Sequence, residues 1–185
     1  ENTFYRDALD ELLFVNNDEI ENEILRQFRH VAEMYNYRDI FISDTSGTIV
    51  LSLSGKHLQE TKNHLHEEAK VKLYSSLKNN KPEITNIHSN HDDNDNPAHT
   101  HEHEYNSPHI GVVAPFYIIK GMNSVPIGAI FLQSDAGQFL YPLIESWPNP
   151  TKTAETLICR KDGDHVLFLN ELKHLKNSAL KTRIA

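Results

Sequence analysis

The sequence predicts an α+β fold in which a five-stranded antiparallel sheet packs against helices on one side. Three observations support this prediction. An apolar stripe with helical spacing lies near the start of the chain, a β-hairpin pattern follows it, and a second helical pattern separates that hairpin from three further strand patterns. Helices set between strand pairs that short turns connect are typical of such a layered fold.

The first helical pattern belongs to an N-terminal segment, residues 1–36. Asn17 or Asp18 is the expected N-cap, and three glutamates follow it, where they favour the positive end of the helix dipole. Two interpretations of the apolar stripe stay open: a face buried in the core, or in part the seam of a homodimer. The stripe consists of Ile20, Ile24, Phe28, Val31 and Tyr35.

A hairpin and a crossover helix come next. The runs "RDIFISD" and "TIVLSL" are rich in β-branched and apolar residues, and "DTSG" between them supplies a turn in which Gly47 can adopt positive φ. Residues 57–79 then return to helical spacing. Their apolar positions are Leu65, Ala69, Leu73 and Leu77.

Three more strands complete the predicted sheet. "EITNIH" is a short strand, and "HIGVVAPFYIIK" and "SVPIGAIFLQSD" are two long ones joined by "GMN". The strands near 39–53, 83–87 and 109–133 are therefore expected to form one antiparallel layer.

The C-terminal part reads as a connector followed by a hairpin. Residues 136–154 hold a short helix that runs into a Pro-rich stretch, and residues 155–185 contain strand patterns that turn at Asp162-Gly163. "SALKTRIA" at the end predicts the start of a further strand.

Composition limits the class of partner. A hydrophobic share of 38% and a charged share of 24% fit a globular protein, and the net charge of −8 argues against nucleic acid, which needs clustered Lys and Arg. The apolar runs are too short to span a bilayer, and the single cysteine, Cys159, excludes an internal disulfide.

A His-rich segment, residues 88–109, holds six of the twelve histidines and has no Lys or Arg. His99, His101 and His103 alternate in "HTHEH", so an extended strand would point their imidazoles one way. With nearby carboxylates they could hold Zn(II), Ni(II) or Cu(II), and acidification would charge the cluster. A solvated polar loop whose histidines titrate freely is the alternative.

Two stretches resemble a known family. "MYNYRDIFISDTSG" is similar to the start of a Cache module, an extracytoplasmic PAS-like sensor domain. "FLYPLIESWPNPTKTAETLICRKDGDHVLFLNELKHLKNSALKTRI" resembles the junction between modules in double-Cache sensors of bacterial histidine kinases and diguanylate cyclases. The hairpin, crossover and three-strand order is itself the PAS-like arrangement.

The resemblance implies a sensor module at 37–135 with the insertion 88–109, and the beginning of a second, membrane-proximal module, or a fold-back hairpin, at 155–185. It implies an extracytoplasmic (periplasmic) part of an inner-membrane receptor, tethered by transmembrane helices outside this segment and dimerised through the N-terminal helix. Such a domain binds a small molecule in two-component or related signal transduction and catalyses nothing itself.

The same resemblance places a ligand pocket between the sheet and the crossover, residues 55–82. The candidate ligand-binding residues are Tyr74, His88, Phe116, Tyr117 and Asp135. Each has a structural alternative: Phe116 as core, Tyr117 facing solvent, Asp135 as the cap of a helix near Gly137. The family's Arg-x-Trp-Tyr pattern for amino-acid ligands is missing, so no ligand is named.

Three other functions are alternatives to sensing. A metal-binding or metal/pH-sensing module would use the His-rich segment, with Zn or Ni as the candidate ion. A structural dimerisation module would fill its pocket with its own side chains. An enzyme is disfavoured, because no His and carboxylate are arranged around Cys159 and no phosphate loop, HExxH or GxSxG is present.

Overall fold

A computed structural model describes residues 18–55, 64–89, 107–120, 122–145 and 155–185. In these residues the chain is an α+β protein, as the sequence predicts. The helices are α1 (Asp18–Tyr35), α2 (Glu67–Asn79) and α3 (Leu140–Glu145). The strands are β1 (Asp39–Asp44), β2 (Ile49–Ser52), β3 (Glu83–Ile84), β4 (His109–Lys120), β5 (Asn123–Asp135), β6 (Cys159–Asp162), β7 (His165–Phe168) and β8 (Arg183–Ile184).

The predicted five-stranded antiparallel sheet is present, and its strand order is β2-β1-β5-β4-β3. The long strand β5 pairs with β1 in continuous register from Asp39 opposite Gln133 to Asp44 opposite Gly128. A separate three-stranded antiparallel sheet has the order β6-β7-β8.

The turn between β1 and β2 forms as its sequence predicts. Gly47 has φ +90°, a region that side chains rarely occupy, and the Oδ1 atom of Asp44 accepts hydrogen bonds from the amides of Ser46 (2.8 Å) and Thr48 (2.9 Å). The carboxylate thus fixes the hairpin that begins the sheet.

The chain divides into two compact units. The first consists of residues up to Asn86 together with Gly111–Gln133, and the second consists of Ile87–Ile110 and Ser134–Ala185. Of the candidate ligand residues, Tyr74, Phe116 and Tyr117 belong to the first unit, and His88 and Asp135 belong to the second.

In the first unit, α2 covers one face of the five-stranded sheet, here called the inner face. The rings of Phe41 and Phe131 stack with centroids 4.7 Å apart and planes 8° apart. Burial of such side chains is the main favourable term in folding. The inner-face cluster comprises Phe41, Ile49, Leu65, Ala69, Leu73, Val113, Ala129 and Phe131.

Helix α1 covers the opposite, outer face. Its Ile24 is buried with Ile42 and Leu51, and Phe28 and Phe116 pack against them. The expectation that helices pack on one side only is therefore wrong. Consecutive strand residues point to opposite faces, and β1 is buried on both. In the stripe of α1, Ile20, Ile24 and Phe28 thus belong to the core, whereas Tyr35 is 63% exposed.

Two predicted boundaries are also corrected. His64 forms an antiparallel bridge with Thr48, so it is extended, and the helix predicted from residue 57 begins at Glu67 in the described residues. The last predicted strand is confined to Arg183–Ile184, because turns precede it and Leu180 has φ +60°. Asn17 lies outside the described residues, and α1 begins at Asp18.

The second unit has its own apolar core, to which α3, β7 and the chain around Ile87 contribute. The Asn170 side chain is 2% exposed and hydrogen-bonds to the backbone before β6. Its Oδ1 atom accepts from the amide of Ile158 (2.7 Å), and its Nδ2 atom donates to the carbonyl of Thr156 (3.0 Å). The buried core residues are Ile87, Ala136, Tyr141, Leu167 and Leu169.

Candidate functional site

Tyr74 does not reach the inner face of the sheet. It lies on α2 with its side chain half exposed, and its hydroxyl is 3.4 Å from the carbonyl oxygen of Ser46 in the β1–β2 turn. Ala69 and Leu73 form the buried side of the same helix. Tyr74 is thus placed beside the turn.

Phe116 and Tyr117 lie on opposite faces of β4. Phe116 packs in the outer-face cluster beneath α1. Because side chains alternate along a strand and Val113 belongs to the inner-face cluster, Tyr117 faces the inner side, which α2 covers. Of these two candidates, only Tyr117 occupies the face on which the pocket was expected.

The inner face carries two buried hydroxyl groups. The Ser43 side chain is fully buried, and it shares the face of Phe41 by strand alternation. The hydroxyl oxygens of Ser43 and Tyr117 are both buried, and neither has a hydrogen-bond partner in the described part of the chain. Leaving such a group unpaired costs about 1–3 kcal/mol, so a polar partner would stabilise either hydroxyl.

Burial also changes the acidity of this site. It raises the pKa of the Tyr117 phenol, because the phenolate would lose its hydration there. The hydroxyl is therefore a neutral donor at physiological pH. It can donate one hydrogen bond and accept others.

The apolar part of the inner face continues from these hydroxyls to α2. Val113 lies four residues before Tyr117, which is two periods of strand alternation, and so on the same face; its carbonyl lies 3.4 Å from the Ser76 hydroxyl of α2. An apolar wall with few polar groups is the usual composition of a small-molecule site. Ser43 was missed by sequence reasoning, although a lone hydroxyl at an inward position of "DIFISD" was the available signal.

A second cluster, in the second unit, brings together His88 and Asp135 through two further residues. The rings of His88 and His109 have centroids 4.1 Å apart, and their planes are tilted by 60°. The His109 Nδ1 atom is 3.2 Å from the carbonyl oxygen of Ser107, and the Ser107 hydroxyl donates to Asp135 Oδ2 at 2.6 Å. These four residues are called the histidine cluster below.

Asp135 also caps the turn that leads into α3. Its Oδ1 atom accepts from the amides of Gly137 (2.7 Å) and Gln138 (3.1 Å), and the helix itself begins at Leu140. The alternative of a capping role near Gly137 is thereby supported by geometry. Within the second unit the structure brings His88 and Asp135 into one cluster, and within the first unit Tyr74, Phe116 and Tyr117 occupy three separate positions.

The metal interpretation receives no support in the described ranges. They contain no group of three or more His, Cys, Asp or Glu side chains that could hold an ion. His99, His101 and His103 lie outside the described residues. Cys159 is exposed in β6.

An open groove of about 540 Å³ lies beside the edge strand β3. Its Lys72 ammonium stands 3.7 Å from the carboxylate of Glu83, Lys81 adds a second cation, and the lining as a whole is mostly polar rather than apolar. The lining residues are Lys72, Asn79, Lys81, Pro82, Glu83 and Ile84. We therefore favour the inner face as the candidate ligand site.

Comparisons with known proteins do not assign the chain. No family model matches it, and no curated protein matches it. Within the described residues, no helix has the length and apolar character needed to cross a membrane.

Proposed function

We propose that the chain is the extracytoplasmic small-molecule sensing domain of a membrane-bound bacterial receptor, of the Cache (PAS-like) type found in front of histidine kinases and diguanylate cyclases. The observation that carries the proposal is the sheet order β2-β1-β5-β4-β3 with α2 as the crossover between β2 and β3. This arrangement is compatible with a PAS-like fold, and the resemblance of the two quoted stretches points the same way.

The ligand would bind on the inner face of the sheet, next to the residues that α2 contacts. Tyr117 would donate a hydrogen bond from its phenol and Ser43 would offer its hydroxyl, while Phe131 and Ile127 supply apolar surface on the same strand face. Both hydroxyls are buried and unpaired within the described residues, so a ligand that bonds to them removes a desolvation cost.

Signal transfer would run through the sheet to α1. Because α1 packs on the outer face against Ile42, Leu51 and Phe116, a ligand that shifts β4 changes the surface on which α1 rests. Thermodynamics requires only that the ligand prefer one of two arrangements of this helix. In a homodimer the shift would reach a transmembrane helix of the full receptor.

The test begins with native mass spectrometry of the purified chain, followed by thermal-shift screening of small metabolites. A bound ligand stabilises the folded state according to its concentration and affinity. Tyr117→Phe and Ser43→Ala are each expected to weaken binding by about tenfold or more, the loss of roughly one buried hydrogen bond. Tyr74→Phe, at an exposed tyrosine of α2, is the matched control and should bind like wild type.

Two outcomes count against the proposal at different levels. If neither a co-purified molecule nor a stabilising compound is found, the sensing function itself is contradicted. If a ligand binds but both hydroxyl variants retain its affinity, the inner-face site is wrong.

A further inference from the structure

The connection between β7 and β8 contains a short closed turn, residues 172–178, here called the basic loop. Hydrogen bonds close its base. The hydroxyl of Ser178, a residue that is 1% exposed, accepts from the amide of Leu172 (2.7 Å) and donates to the carboxylate of Glu171 (3.0 Å). The amide of Leu175 donates to the carbonyl of Leu172 (3.0 Å), which folds the tip back toward the base. The loop therefore presents its tip in a defined conformation.

The chain around this loop is positively charged, unlike the protein as a whole. Residues 172–183 contain four Lys or Arg and no Asp or Glu, whereas the whole chain has a net charge of −8. Lys173, Lys176 and Lys181 are exposed. The amide of Lys181 donates to the carbonyl of Ser178 (3.1 Å), so the third of these lysines begins at the base of the loop.

The carboxylates that contact this part of the chain hold its backbone. Glu155 accepts from the amide of Lys173, and Glu171 accepts from the amide of Ser178 (2.9 Å). The three lysines therefore outnumber the two glutamates, and the glutamates are engaged with the loop backbone. The fourth cation, Arg183, is offset by its ion pair with Asp162 at 2.7 Å.

Leu175 at the tip of the basic loop is 51% exposed. Lys173 and His174 precede it, Lys176 follows it, and all three are exposed. A single exposed leucine is ordinary on a protein surface. Here, however, it stands between basic side chains on a loop whose conformation is fixed. The surface of a bilayer suits this combination, because an apolar side chain can enter the acyl boundary while long basic side chains reach the phosphate groups.

We propose that the basic loop is a docking surface for an anionic lipid bilayer, with Leu175 in the interface and Lys173, Lys176 and Lys181 at the lipid phosphates. Each lysine near such a surface strengthens binding by roughly fivefold, and the attraction falls off within about a Debye length. The acidic remainder of the chain is repelled by the same surface, which favours contact through this loop. The inference goes beyond the proposed sensing function and does not use the inner-face site, so either can fail without the other.

Nucleic acid is the competing partner, because its phosphates also attract lysine. The phosphate backbone offers no apolar environment to Leu175, whereas the acyl boundary of a bilayer does. Dependence of binding on Leu175 therefore distinguishes the two partners.

The test is flotation of the intact chain with vesicles of phosphatidylcholine alone, or of phosphatidylcholine with about one third phosphatidylglycerol. We expect binding to the anionic vesicles only, and its loss when the salt is raised from about 0.1 M to about 1 M, because the Debye length shortens from about 10 Å to about 3 Å. Lys176→Gln should weaken the partition by about fivefold, and the double variant with Lys181→Gln by about twentyfold. Leu175→Ser should weaken it by about fivefold, the effect of little more than one buried methylene group.

Matched controls are exposed residues of α2, in the first unit. Lys78→Gln removes the same charge and Val71→Ser removes a side chain that is 63% exposed, and both variants should bind like wild type. Lys176→Arg keeps the charge of the loop and should also bind like wild type. Because every substituted side chain is exposed, circular dichroism should show the same fold in all variants.

Four outcomes overturn the proposal. They are no binding to the anionic vesicles, equal binding to the neutral vesicles, a loss in Lys78→Gln as large as that in Lys176→Gln, and unchanged binding of Leu175→Ser. If the chain also binds a double-stranded oligonucleotide and Leu175→Ser binds the vesicles like wild type, the loop is a phosphate-binding surface for nucleic acid instead.

Discussion

Phe116 and Tyr117 are consecutive residues of β4 that belong to opposite faces of the five-stranded sheet. Phe116 packs beneath α1 with Ile42 and Leu51, whereas the Tyr117 hydroxyl is buried on the face that α2 covers. A displacement of this one stretch of backbone therefore alters both surfaces. Under the proposed function, this relationship would connect a ligand on the inner face to α1 on the outer face.

The outer-face contact can be tested through stability. Phe116→Ala should lower the free energy of unfolding of the first unit by about 2–3 kcal/mol, somewhat below the range for fully buried phenylalanine, because the ring is only partly buried. Urea unfolding monitored by circular dichroism measures this change. Phe139→Ala, at a side chain that is 63% exposed, is the control and should shift stability by less than about 0.5 kcal/mol. Equal effects of the two substitutions would contradict the assigned packing.

Much of the sheet could be predicted because its signals are local. The turns at Gly47 and Gly163 are both encoded by a few neighbouring residues, and Gly47 adopts the positive φ expected of it. The face of the sheet on which each helix packs could not be predicted from such local signals. Phe41 and Ile42 are adjacent and both apolar, so β1 lacks the alternation that would have identified a solvent face.

The candidate sites depend on contacts that are distant in the sequence. His109 was read as the first residue of a strand, and only its pairing with His88 reveals a fully buried ring. Ser43 is likewise an ordinary strand serine until the inner face is assembled around it. The helical pattern predicts Tyr74 as a pocket residue, but the orientation of the helix places it beside Ser46.

Gly128 marks a close approach between strands that only glycine permits. A Cβ atom there would collide with the carbonyl oxygen of Ser43 and would lie 3.0 Å from Cζ of Phe116. Gly128→Ala should therefore destabilise the first unit by about 2 kcal/mol or more, since the backbone oxygen cannot move without disturbing the β1–β5 pairing. Chemical denaturation provides the measurement.

A second-site variant separates the two collisions at Gly128. Phe116→Leu removes the aromatic ring but leaves the Ser43 carbonyl in place, so the double variant should recover little of the stability lost in Gly128→Ala. Full recovery would show that the ring, and not the backbone, sets the limit.

Asp39 closes the open end of the β1–β2 hairpin. Its buried carboxylate accepts from the hydroxyls of Ser52 (3.1 Å) and Ser54 (2.6 Å) and from the amides of Ile40 (2.8 Å) and Ser54 (3.1 Å). Asp39→Ala should cost about 3 kcal/mol, because four donors, two of them on the buried residues Ile40 and Ser52, lose a shared acceptor at once. Asp39→Asn retains one acceptor oxygen and should cost about half as much.

The control for Asp39 is another aspartate whose side chain is exposed. Asp164→Asn, in the turn between β6 and β7, should change the unfolding free energy by less than about 0.5 kcal/mol. If Asp39→Ala were as mild as this control in urea unfolding, the hydrogen bonds at Asp39 would contribute nothing measurable.

Tyr141 should make the second unit sensitive to alkali. Burial, reinforced by Glu171 and Asp135, raises the pKa of its phenol to about 12, whereas tyrosine in an unfolded chain ionises near pH 10. A raised pKa favours the folded state below pH ~10, and this contribution is lost as the pH rises through the folded value. By linkage the loss attributable to Tyr141 between pH 8 and pH 11 is about 1.4 kcal/mol.

The comparison that isolates this residue is wild type against Tyr141→Phe at both pH values. At pH 8 the variant lacks the hydrogen bond to the Leu169 carbonyl and should be less stable by about 1 kcal/mol. At pH 11 the difference in unfolding free energy should vanish or reverse. Only the wild type has a phenol at position 141, and this phenol stays neutral in the folded chain but ionises in the unfolded chain, which favours unfolding. Urea midpoints measured for both proteins give the four values needed. A constant difference between the two proteins at pH 8 and pH 11 would contradict the raised pKa.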